Sequence, residues 1–310
     1  YQRSEQALVL TIMEMVVNGV STRKITTITE ELCGRSFSKS TVSALCAALD
    51  PVVIAFRDRQ LERRYPFVMA DALYTKVREN GRIRSKGFMI AVGINEQGFR
   101  EILGFSCADS ETEAGWTAFF RELKGRGLAQ VDMVISDSHK GLVQAVKQCF
   151  QGATWQRCQT HFSRNMLDVC PKKLHPEMKA ALKSLYEAGD YETAILLRDS
   201  MLSRFQQEAP KAAALLEESF EDVMAVLSLP YTLRRRLRTT NGIERLNEEI
   251  RRRARVIRIF PNEESLSRLI GALLMEINDG WQSGKVYLDL TAYLAQQLQA
   301  DKPASKKSVA

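Results

Sequence analysis

The stretch Phe67-Val-Met-Ala-Asp-Ala-Leu-Tyr74 begins a change from helical to strand-like sequence, and this change decides the fold. The stretch leads into Glu79-Asn-Gly81, which is typical of the tight turn of a β-hairpin. Strand-forming residues continue from Ile83 to Ile94 and, after the turn Asn95-Glu-Gln-Gly98, from Phe99 to Cys107. The pattern therefore predicts three consecutive antiparallel strands.

Helices and strands alternate after this hairpin region. Ser110-Glu-Thr-Glu113 is a capping box that predicts a helix ending at about Arg126. A buried strand at 131–136, a helix at 138–149 and a short strand near 153–155 follow. This order predicts an α/β fold, a ribonuclease-H-like mixed sheet in which parallel strands extend the three antiparallel ones.

The predicted strands divide the chain into five parts. Residues 1–60 are expected to form an N-terminal helical segment, and residues 61–157 the first part of the catalytic core. Residues 158–229 show helical patterns without a strand pattern, which predicts an all-helical insertion. Residues 230–295 are expected to complete the core. The last part, 296–310, ends in a segment rich in Lys, Ser, Ala and Pro and is predicted to be a disordered tail.

Two helices in the N-terminal segment have the outline of a helix-turn-helix. Gly34 marks the turn between them, and Ser38 is expected to cap the second helix. Lys39, Ser40 and Ser43 then stand at the front of that helix, where such motifs contact DNA. An ordinary helix pair is the alternative, because short helix pairs are common.

The composition limits the classes of protein to which the chain can belong. A chain of 310 residues with 45% hydrophobic residues can bury a substantial core. Six scattered cysteines without a CxxC pair, and no N-terminal apolar signal region, indicate a reducing cytoplasm. No apolar run approaches the roughly 20 residues of a membrane helix, so no membrane contact is expected. The chain begins with Tyr1 instead of Met, so we expect an upstream segment to be missing.

Positive charge is concentrated in one stretch. The net charge is +7, and residues 229–260 contain ten arginines and three glutamates, which equals the whole excess. A charge run is usually a solvated face, but the planar guanidinium of arginine is favoured for binding phosphate. The predicted DNA contacts in and beside this run are Arg234, Arg235, Arg236, Arg238, Arg245, Arg251, Arg252, Arg253, Arg255 and Arg258.

Two aspartates stand where an α/β sheet exposes side chains. Asp71 interrupts an apolar strand, where an unpaired carboxylate is costly unless something compensates it. Asp137 ends the strand at 131–136. Because the two strands are expected to lie side by side, both carboxylates should face the same edge and could share a metal. Capping of the following helix is the alternative role of Asp137.

The third carboxylate is Glu244, early in a helix that Asn241 is expected to cap. Glu244 lies beside an apolar stripe that begins at Ile243 and would dock the helix on the sheet. Glu248 and Glu249 can pair with arginines one turn later, whereas the neighbour of Glu244 at that spacing is an acid. Two aspartates and a distant glutamate are the ligands of a two-metal phosphoryl-transfer site.

Cys158 and His161 have the spacing of half a zinc site. No second Cys/His pair follows, and the chain has only three histidines, so a complete structural zinc site is not expected. The pair, with Trp155 just before it, is instead predicted to support the active site from beneath.

These motifs together resemble the bacterial Mutator-type transposases of the IS256 family. Six stretches carry the resemblance, which spans nearly everything from Thr22 to about Trp281: Ser38–Val42, Asp71–Glu79, Ser136–Leu142, Trp155–Asn165, Thr240–Asn247 and Ile259–Asn262. The resemblance implies a DDE catalytic triad at Asp71, Asp137 and Glu244. It also implies a ribonuclease-H-like core with a helical insertion, and a (C/D)xxH motif at Cys158 and His161. The chain departs from the family at its start, where such proteins carry further sequence that helps recognise terminal inverted repeats.

The implied function is that of an insertion-sequence transposase. It would use two Mg²⁺ ions roughly 4 Å apart, with Mn²⁺ as a substitute, to cleave DNA at the element ends and join them to target DNA. The expected partners are the terminal inverted repeats, the target DNA and a second copy of the chain in a homodimer or higher oligomer. A ribonuclease-H-like nuclease that only hydrolyses is one alternative, and a non-catalytic DNA-binding protein derived from a transposase is another. The arginine run disfavours the first, and the three carboxylates disfavour the second.

Overall fold

The computed structural model describes residues 2–34 and 37–300. Its first part is helical and contains α1 (Gln2–Val17), α2 (Thr22–Cys33), α3 (Lys39–Ala47) and α4 (Asp50–Asp58). The side chain of Ser38 accepts a hydrogen bond from the backbone N–H of Thr41 at 3.1 Å, so Ser38 caps α3 as predicted. A small core joins the first three helices through Ile12, Ile25, Val42 and Cys46.

One stretch of this helical part contradicts the expectation that no run is long and apolar enough to cross a membrane. Lys39–Asp58 passes that test by length and composition. It consists of the separate helices α3 and α4, with Pro51 at the start of α4. Asp50 pairs with Arg268 at 2.6 Å, and Val53 packs into the core beneath the sheet. These contacts attach the stretch to the rest of the chain, while Val52 and Ile54 remain exposed.

The centre of the molecule is a five-stranded mixed sheet. Its strands are β1 (Phe67–Glu79), β2 (Arg82–Ile94), β3 (Arg100–Ala108), β4 (Met133–Ser136) and β5 (Thr154–Arg157), in the order β3-β2-β1-β4-β5. β1, β2 and β3 are antiparallel to one another in turn, whereas β4 is parallel to β1 and β5 is parallel to β4. The predicted mixed α/β class is therefore confirmed.

Helices cover both faces of this sheet. One face carries α5 (Glu113–Gly125) and α6 (Lys140–Cys149), and the other carries α12 (Asn241–Ala254) and α13 (Glu263–Gln282). Side chains alternate between the two cores along β1, so Val68 faces α5 and α6 whereas Met69 faces α12 and α13. This alternation decides which side chains share a face with α12. The cap of α5 is Thr112 instead of Ser110, since its side chain accepts from the backbone N–H of Gly115.

A helical unit with its own core separates β5 from α12. It contains α7 (Gln159–Val169), α8 (His175–Tyr186), α9 (Tyr191–Phe205) and α10 (Pro210–Met224), with short 3₁₀ helices at Lys172–Leu174 and Ala225–Ser228. α11 (Tyr231–Leu237) returns the chain to the sheet.

The last described helix is α14 (Thr291–Ala300), which covers the first five residues of the segment predicted to be a disordered tail. Tyr293 in this helix is buried against Phe67, with ring centroids 5.1 Å apart. The Gln297 side chain donates to Asp132 at 3.1 Å. These contacts anchor α14 to the sheet, and residues 301–310 lie outside the described residues.

Candidate active site

Asp71 and Asp137 occupy equivalent places on neighbouring parallel strands. Met69 in β1 lies opposite Ile135 in β4, and each aspartate comes two residues after its member of this pair. Both Met69 and Ile135 belong to the core on the α12 face. Because side chains alternate along a strand, the two aspartates are directed to that same face. The sheet itself thus brings the two carboxylates together.

Asp71 is held by two hydrogen bonds. Its Oδ1 accepts from the backbone N–H of Ala72 at 2.9 Å, and its Oδ2 accepts from Nδ2 of Asn247 at 2.8 Å. Burial, followed by the charge of Asp137, raises the pKa of Asp71 to about 7. Near neutral pH this carboxyl group can therefore exchange its proton for a cation.

The loop after β4 fixes Asp137. Its Oδ1 accepts from the backbone N–H of His139 at 3.1 Å, and His139, not Asp137, is the cap residue of α6. One carboxylate oxygen is therefore used by the loop, while the other makes no hydrogen bond to the described part of the chain. Trp155 supports the strand end, since its indole N–H donates to Oγ of Ser136 at 2.9 Å.

Helix α12 begins one residue earlier than predicted. Thr240 occupies the cap position without a side-chain capping bond, and Asn241 is the first helical residue. The Asn241 side chain instead accepts a hydrogen bond from Oγ1 of Thr160 at 3.2 Å. This contact ties the start of α12 to α7. The predicted apolar stripe is buried against the sheet, and it consists of Ile243, Leu246 and Ile250.

Glu244 reaches the same region as Asp71. It lies one turn before Asn247, the residue that donates to Asp71, so both share one face of α12. Oε1 of Glu244 is 3.7 Å from Nε2 of His161 and 3.4 Å from Nη2 of Arg164. This oxygen is buried without a hydrogen-bond partner, and so is Oδ1 of Asn247. The unsatisfied Oδ1 of Asn247, whose Nδ2 donates to Asp71, favours a cation at this place.

The two later glutamates of α12 have other surroundings. Glu249 accepts hydrogen bonds from Arg252 at 2.6 Å and from Arg253 at 2.8 Å. Glu248 is exposed and makes no salt bridge within the described ranges, so its predicted pairing with Arg252 is wrong. Arg252 is turned to Glu249 instead.

Asp71, Asp137 and Glu244 are not the tightest group of possible metal ligands in the described part of the chain. That group lies elsewhere. It consists of Glu79, Asp109 and Glu263, whose ligand atoms lie within 4.8 Å of one another. The ammonium of buried Lys86 occupies that group, 3.0 Å from Glu79. The candidate carboxylates Asp71, Asp137 and Glu244 are spaced more widely, and Glu244 contacts His161 and Arg164.

Cys158 and His161 link the start of α7 to the carboxylates. The buried Sγ of Cys158 accepts from the N–H and from Oγ1 of Thr240, both at 3.3 Å. Burial opposes ionisation of Cys158, but the neighbouring His161 side chain and the hydrogen bonds from Thr240 lower the pKa of its thiol overall. The Cys158 side chain, and then the charges of Asp71 and Asp137, raise the pKa of His161 against the effect of burial. A protonated imidazole is therefore favoured beside the acidic residues.

We predict that the purified protein contains clearly less than one zinc ion per chain. Within residues 2–34 and 37–300, Cys158 and His161 belong to no group of three metal-ligating side chains, whereas a structural zinc needs four ligands. His161→Ala should lower activity while the circular dichroism spectrum stays unchanged, and His175→Ala, a histidine of the insertion, should keep activity. Elemental analysis that finds one tightly bound zinc per chain would contradict this prediction.

Comparison with known proteins decides the family. A family model described as "Transposase, Mutator family" matches residues 1–284. This chain belongs to the Mutator family of transposases. It is similar to the transposase for insertion sequence element IS256 in transposon Tn4001 of Staphylococcus aureus, with 46% identity over 297 residues, 93% of this chain and 75% of that protein.

Two further relatives of this Mutator-family transposase support the same family assignment. The transposase for insertion sequence element ISRM5 of Rhizobium meliloti is 44% identical over 290 residues, which are 94% of this chain and 73% of that protein. The transposase for insertion sequence element IS1081 of Mycobacterium tuberculosis is 39% identical over an alignment of 311 positions, which covers 99% of this chain and 75% of that protein. The family predicted from the motifs is therefore confirmed.

Nine of the ten arginines of this transposase that were predicted to contact DNA fall into two groups, and the tenth, Arg252, is exposed but pairs with Glu249. Arg253 is buried and donates to the carbonyl of Val17 at 2.6 Å. Arg234 donates to the carbonyl of Leu229 at 2.7 Å, and Arg238 to that of Tyr186 at 2.9 Å. We assign these three to the packing of the protein. The other group is exposed and has no carboxylate partner in the described ranges: Arg235, Arg236, Arg245, Arg251, Arg255 and Arg258.

The polar residues predicted at the front of α3 are accessible. Lys39, Ser40 and Ser43 are all exposed. They lie at the beginning of the second helix of the α2–α3 pair, as the sequence pattern predicted.

Three residues near the carboxylates were missed by sequence reasoning. Asn247 lies three residues after Glu244. This spacing places both side chains on one face of a helix, so it could have identified Asn247 as a neighbour of the site. Arg164 stands in the same relation to His161 on α7. Glu111 is an additional acid whose pKa is raised by burial and, in part, by Asp137, and only the folded chain brings it near the site.

Proposed function

We propose that this Mutator-family chain is a DDE transposase that cleaves DNA at the ends of an insertion sequence and joins those ends to target DNA. The observation that carries the proposal is the meeting of three carboxylate-bearing elements. Asp71 and Asp137 occupy equivalent positions of parallel strands, and α12 lays Asn247 on Asp71 with Glu244 one turn away. The strand order β3-β2-β1-β4-β5 supports a ribonuclease-H-like core.

The residues of the site suit Mg²⁺. Carboxylate oxygens are the ligands that Mg²⁺ prefers, and Asp71, Asp137 and Glu244 would supply them. Burial and the neighbouring charge of Asp137 raise the pKa of Asp71, and a cation would offset both effects. When bound, the ions neutralise charge on the scissile phosphate and activate the nucleophile. Cleavage and joining are then the same in-line displacement, with water or a 3′-hydroxyl as the nucleophile.

Side chains around the carboxylates have supporting roles. Asn247 orients Asp71 through its hydrogen bond, and His161, whose pKa is raised by Cys158, lies 3.7 Å from Glu244. Arg164 is largely exposed while it pairs with Glu244, so its guanidinium can turn to a DNA phosphate. Positive charge beside the carboxylates offsets the repulsion between them and the DNA backbone.

We propose that the partners are the element ends and the target DNA. The exposed arginines of α11 and α12 would bind backbone phosphates, and Lys39, Ser40 and Ser43 would approach DNA from α3. Joining two ends to one target requires both ends in one complex, so we propose a homodimer or higher oligomer. A cytoplasmic location follows from this DNA substrate.

A strand-joining assay tests the function. The chain is incubated with Mg²⁺, a duplex that carries a pre-cut end of its element and a target plasmid. We expect metal-dependent joined products that disappear in Asp137→Asn, while Asp168→Asn, an exposed aspartate of α7, stays active. Products of hydrolysis alone would favour a nuclease. Full joining by Asp137→Asn would refute the proposed triad.

A further inference from the structure

A cavity beside the beginning of α12 is surrounded by arginines. We name it the arginine pocket and define it by Arg100, Arg235, Arg236, Arg245 and Tyr287. Its volume is about 490 Å³, and the remaining lining residues are uncharged. None of the residues that line the pocket is acidic. The arginine pocket is therefore a concentration of positive charge without an internal counter-charge.

The four guanidiniums have no carboxylate partner within residues 2–34 and 37–300. Arg100 is the least exposed of them, and its guanidinium lies 4.1 Å from the ring centroid of Trp281 and 4.4 Å from that of Tyr287. Burial, with the charges of Arg236 and Arg245, lowers the pKa of Arg100. Each guanidinium carries five N–H donors, and like charges gathered around one cavity repel unless an anion joins them.

The arginine pocket is built into the fold. The carbonyl of Gly98 accepts from the backbone N–H groups of Tyr287 at 2.9 Å and Leu288 at 3.1 Å. Gly98 has φ +84°, and a Cβ at this position would lie 1.8 Å from the carbonyl oxygen of Leu288, so only glycine fits. The side chain of Gln282 donates to the carbonyl of Arg100 at 2.8 Å. These contacts fix the positions of Tyr287 and Arg100 before any ligand binds.

The arginine pocket adjoins the candidate active site. Asn241 and Gly242 line it, and Glu244 lies only two residues further along α12. A Cβ on Gly242 would be 3.8 Å from the sulfur of Met69, which precedes Asp71 by two residues. A second cavity shares Asn241 with the pocket and continues to Thr160 beside His161. A continuous polar groove thus leads from the pocket past the start of α12 to α7.

We propose that the arginine pocket binds backbone phosphates of the DNA strand that passes through the active site. The inference rests on the proposed function and adds Arg100 and Tyr287, which lie outside the arginine run of the sequence. Guanidiniums match phosphate oxygens in geometry, and the face of Tyr287 offers a surface for a sugar or base. Phosphate contacts of this kind position the strand and carry no base information.

The salt dependence of DNA binding tests the pocket. Binding of a fluorescein-labelled duplex of about 30 base pairs is measured by anisotropy in EDTA over a range of KCl concentrations. Each lost phosphate contact should flatten the slope of log K against log salt by about 0.9. The double variant Arg235→Gln, Arg236→Gln should therefore flatten it by about 1.8. Both residues are exposed, so circular dichroism should show an unchanged fold.

Arg204→Gln is the matched control. Arg204 is an arginine of α9 that pairs with Glu177 and Glu208, away from the groove, and its loss should leave the slope unchanged. If the double variant had the same slope as Arg204→Gln, the proposal that the arginine pocket binds phosphates would be refuted. Because EDTA removes the metal, this outcome is independent of catalysis. Another outcome is that the double variant flattens the slope while the wild-type chain fails to join strands. That result would support phosphate binding by the arginine pocket and refute the proposed DDE chemistry.

Discussion

Glu244→Gln should abolish metal-dependent cleavage and joining, with a loss of orders of magnitude in rate, while DNA binding is retained. Glutamine keeps the size of the side chain and removes the charge that a metal needs. Oε1 of Glu244 is buried and lacks a hydrogen bond, and its nearest cationic partners are Arg164 at 3.4 Å and His161 at 3.7 Å. Product formation with Mg²⁺ and binding of the same duplex without metal measure the two properties separately.

The other glutamates of α12 are the controls for this variant. Glu248→Gln should retain most of the activity because its side chain is exposed. Glu249→Gln loses an exposed ion pair with Arg252, which should lower the free energy of unfolding by about 0.5 kcal/mol. It also loses the pair with the buried Arg253, whose loss should cost more. An active Glu244→Gln protein together with an inactive Glu248→Gln protein would move the third ligand one turn along the helix.

Asp71→Asn should destroy activity and yet stabilise the metal-free fold above pH 7. In the unfolded chain Asp71 loses its proton near pH 4, whereas in the folded protein the pKa is about 7. Between these pH values the folded state binds more protons than the unfolded state. The stability that protonated Asp71 gives to the fold is therefore complete below pH 4 and is lost as the pH rises to 7. Asparagine does not ionise and escapes this loss. We expect the free energy of unfolding at pH 8 to rise by up to about 4 kcal/mol, the equivalent of about three pKa units.

Thermal unfolding of both proteins between pH 4 and pH 9 in EDTA measures this effect. Asn247 can accommodate the new amide, because its Oδ1 has no hydrogen-bond partner and can accept from it. Mg²⁺ should stabilise the wild-type protein more at pH 8 than at pH 5, since metal and proton compete for Asp71. Asp168→Asn, on the exposed side of α7, should show no gain at pH 8. Equal stability of Asp71→Asn and wild type at pH 8 would show that the Asp71 carboxylate is already compensated.

Local sequence patterns were sufficient to place the two aspartates. The hairpin between β1 and β2 forms where Asn80 and Gly81 adopt φ values of 49° and 75°, which their residue types tolerate. The alternation of side chains along a strand then puts Asp71 and Met69 on one face, and the same rule applies to Asp137. Both signals are contained in a few neighbouring residues, so they can be recognised before folding.

Contacts between distant parts of the chain could not be predicted in this way. Arg253 belongs to a run of three arginines, and only the packing of α1 against α12 separates it from Arg251. The start of α12 moved by one residue because Asn241 binds Thr160, about eighty positions earlier. The arginine pocket likewise combines residues from β3, from α11 and from the segment after α13. No periodic pattern relates positions that are so far apart in sequence.

The two ends of the helical insertion meet at a narrow neck. Sγ of Cys158 lies 3.3 Å from Oγ1 of Thr240, and the backbone N–H of Gln159 donates to the carbonyl of Arg238 at 3.0 Å. The segment between them also packs on the edge strand of the sheet, since Nη1 of Arg157 in β5 donates to Oγ of Ser219 in α10 at 2.6 Å. The backbone N–H of Val226 likewise donates to Oε1 of Gln156 in β5 at 2.6 Å. His161 and Arg164, which contact Glu244, belong to α7, the first helix of this unit. A displacement of the insertion would therefore reach the third carboxylate through α7.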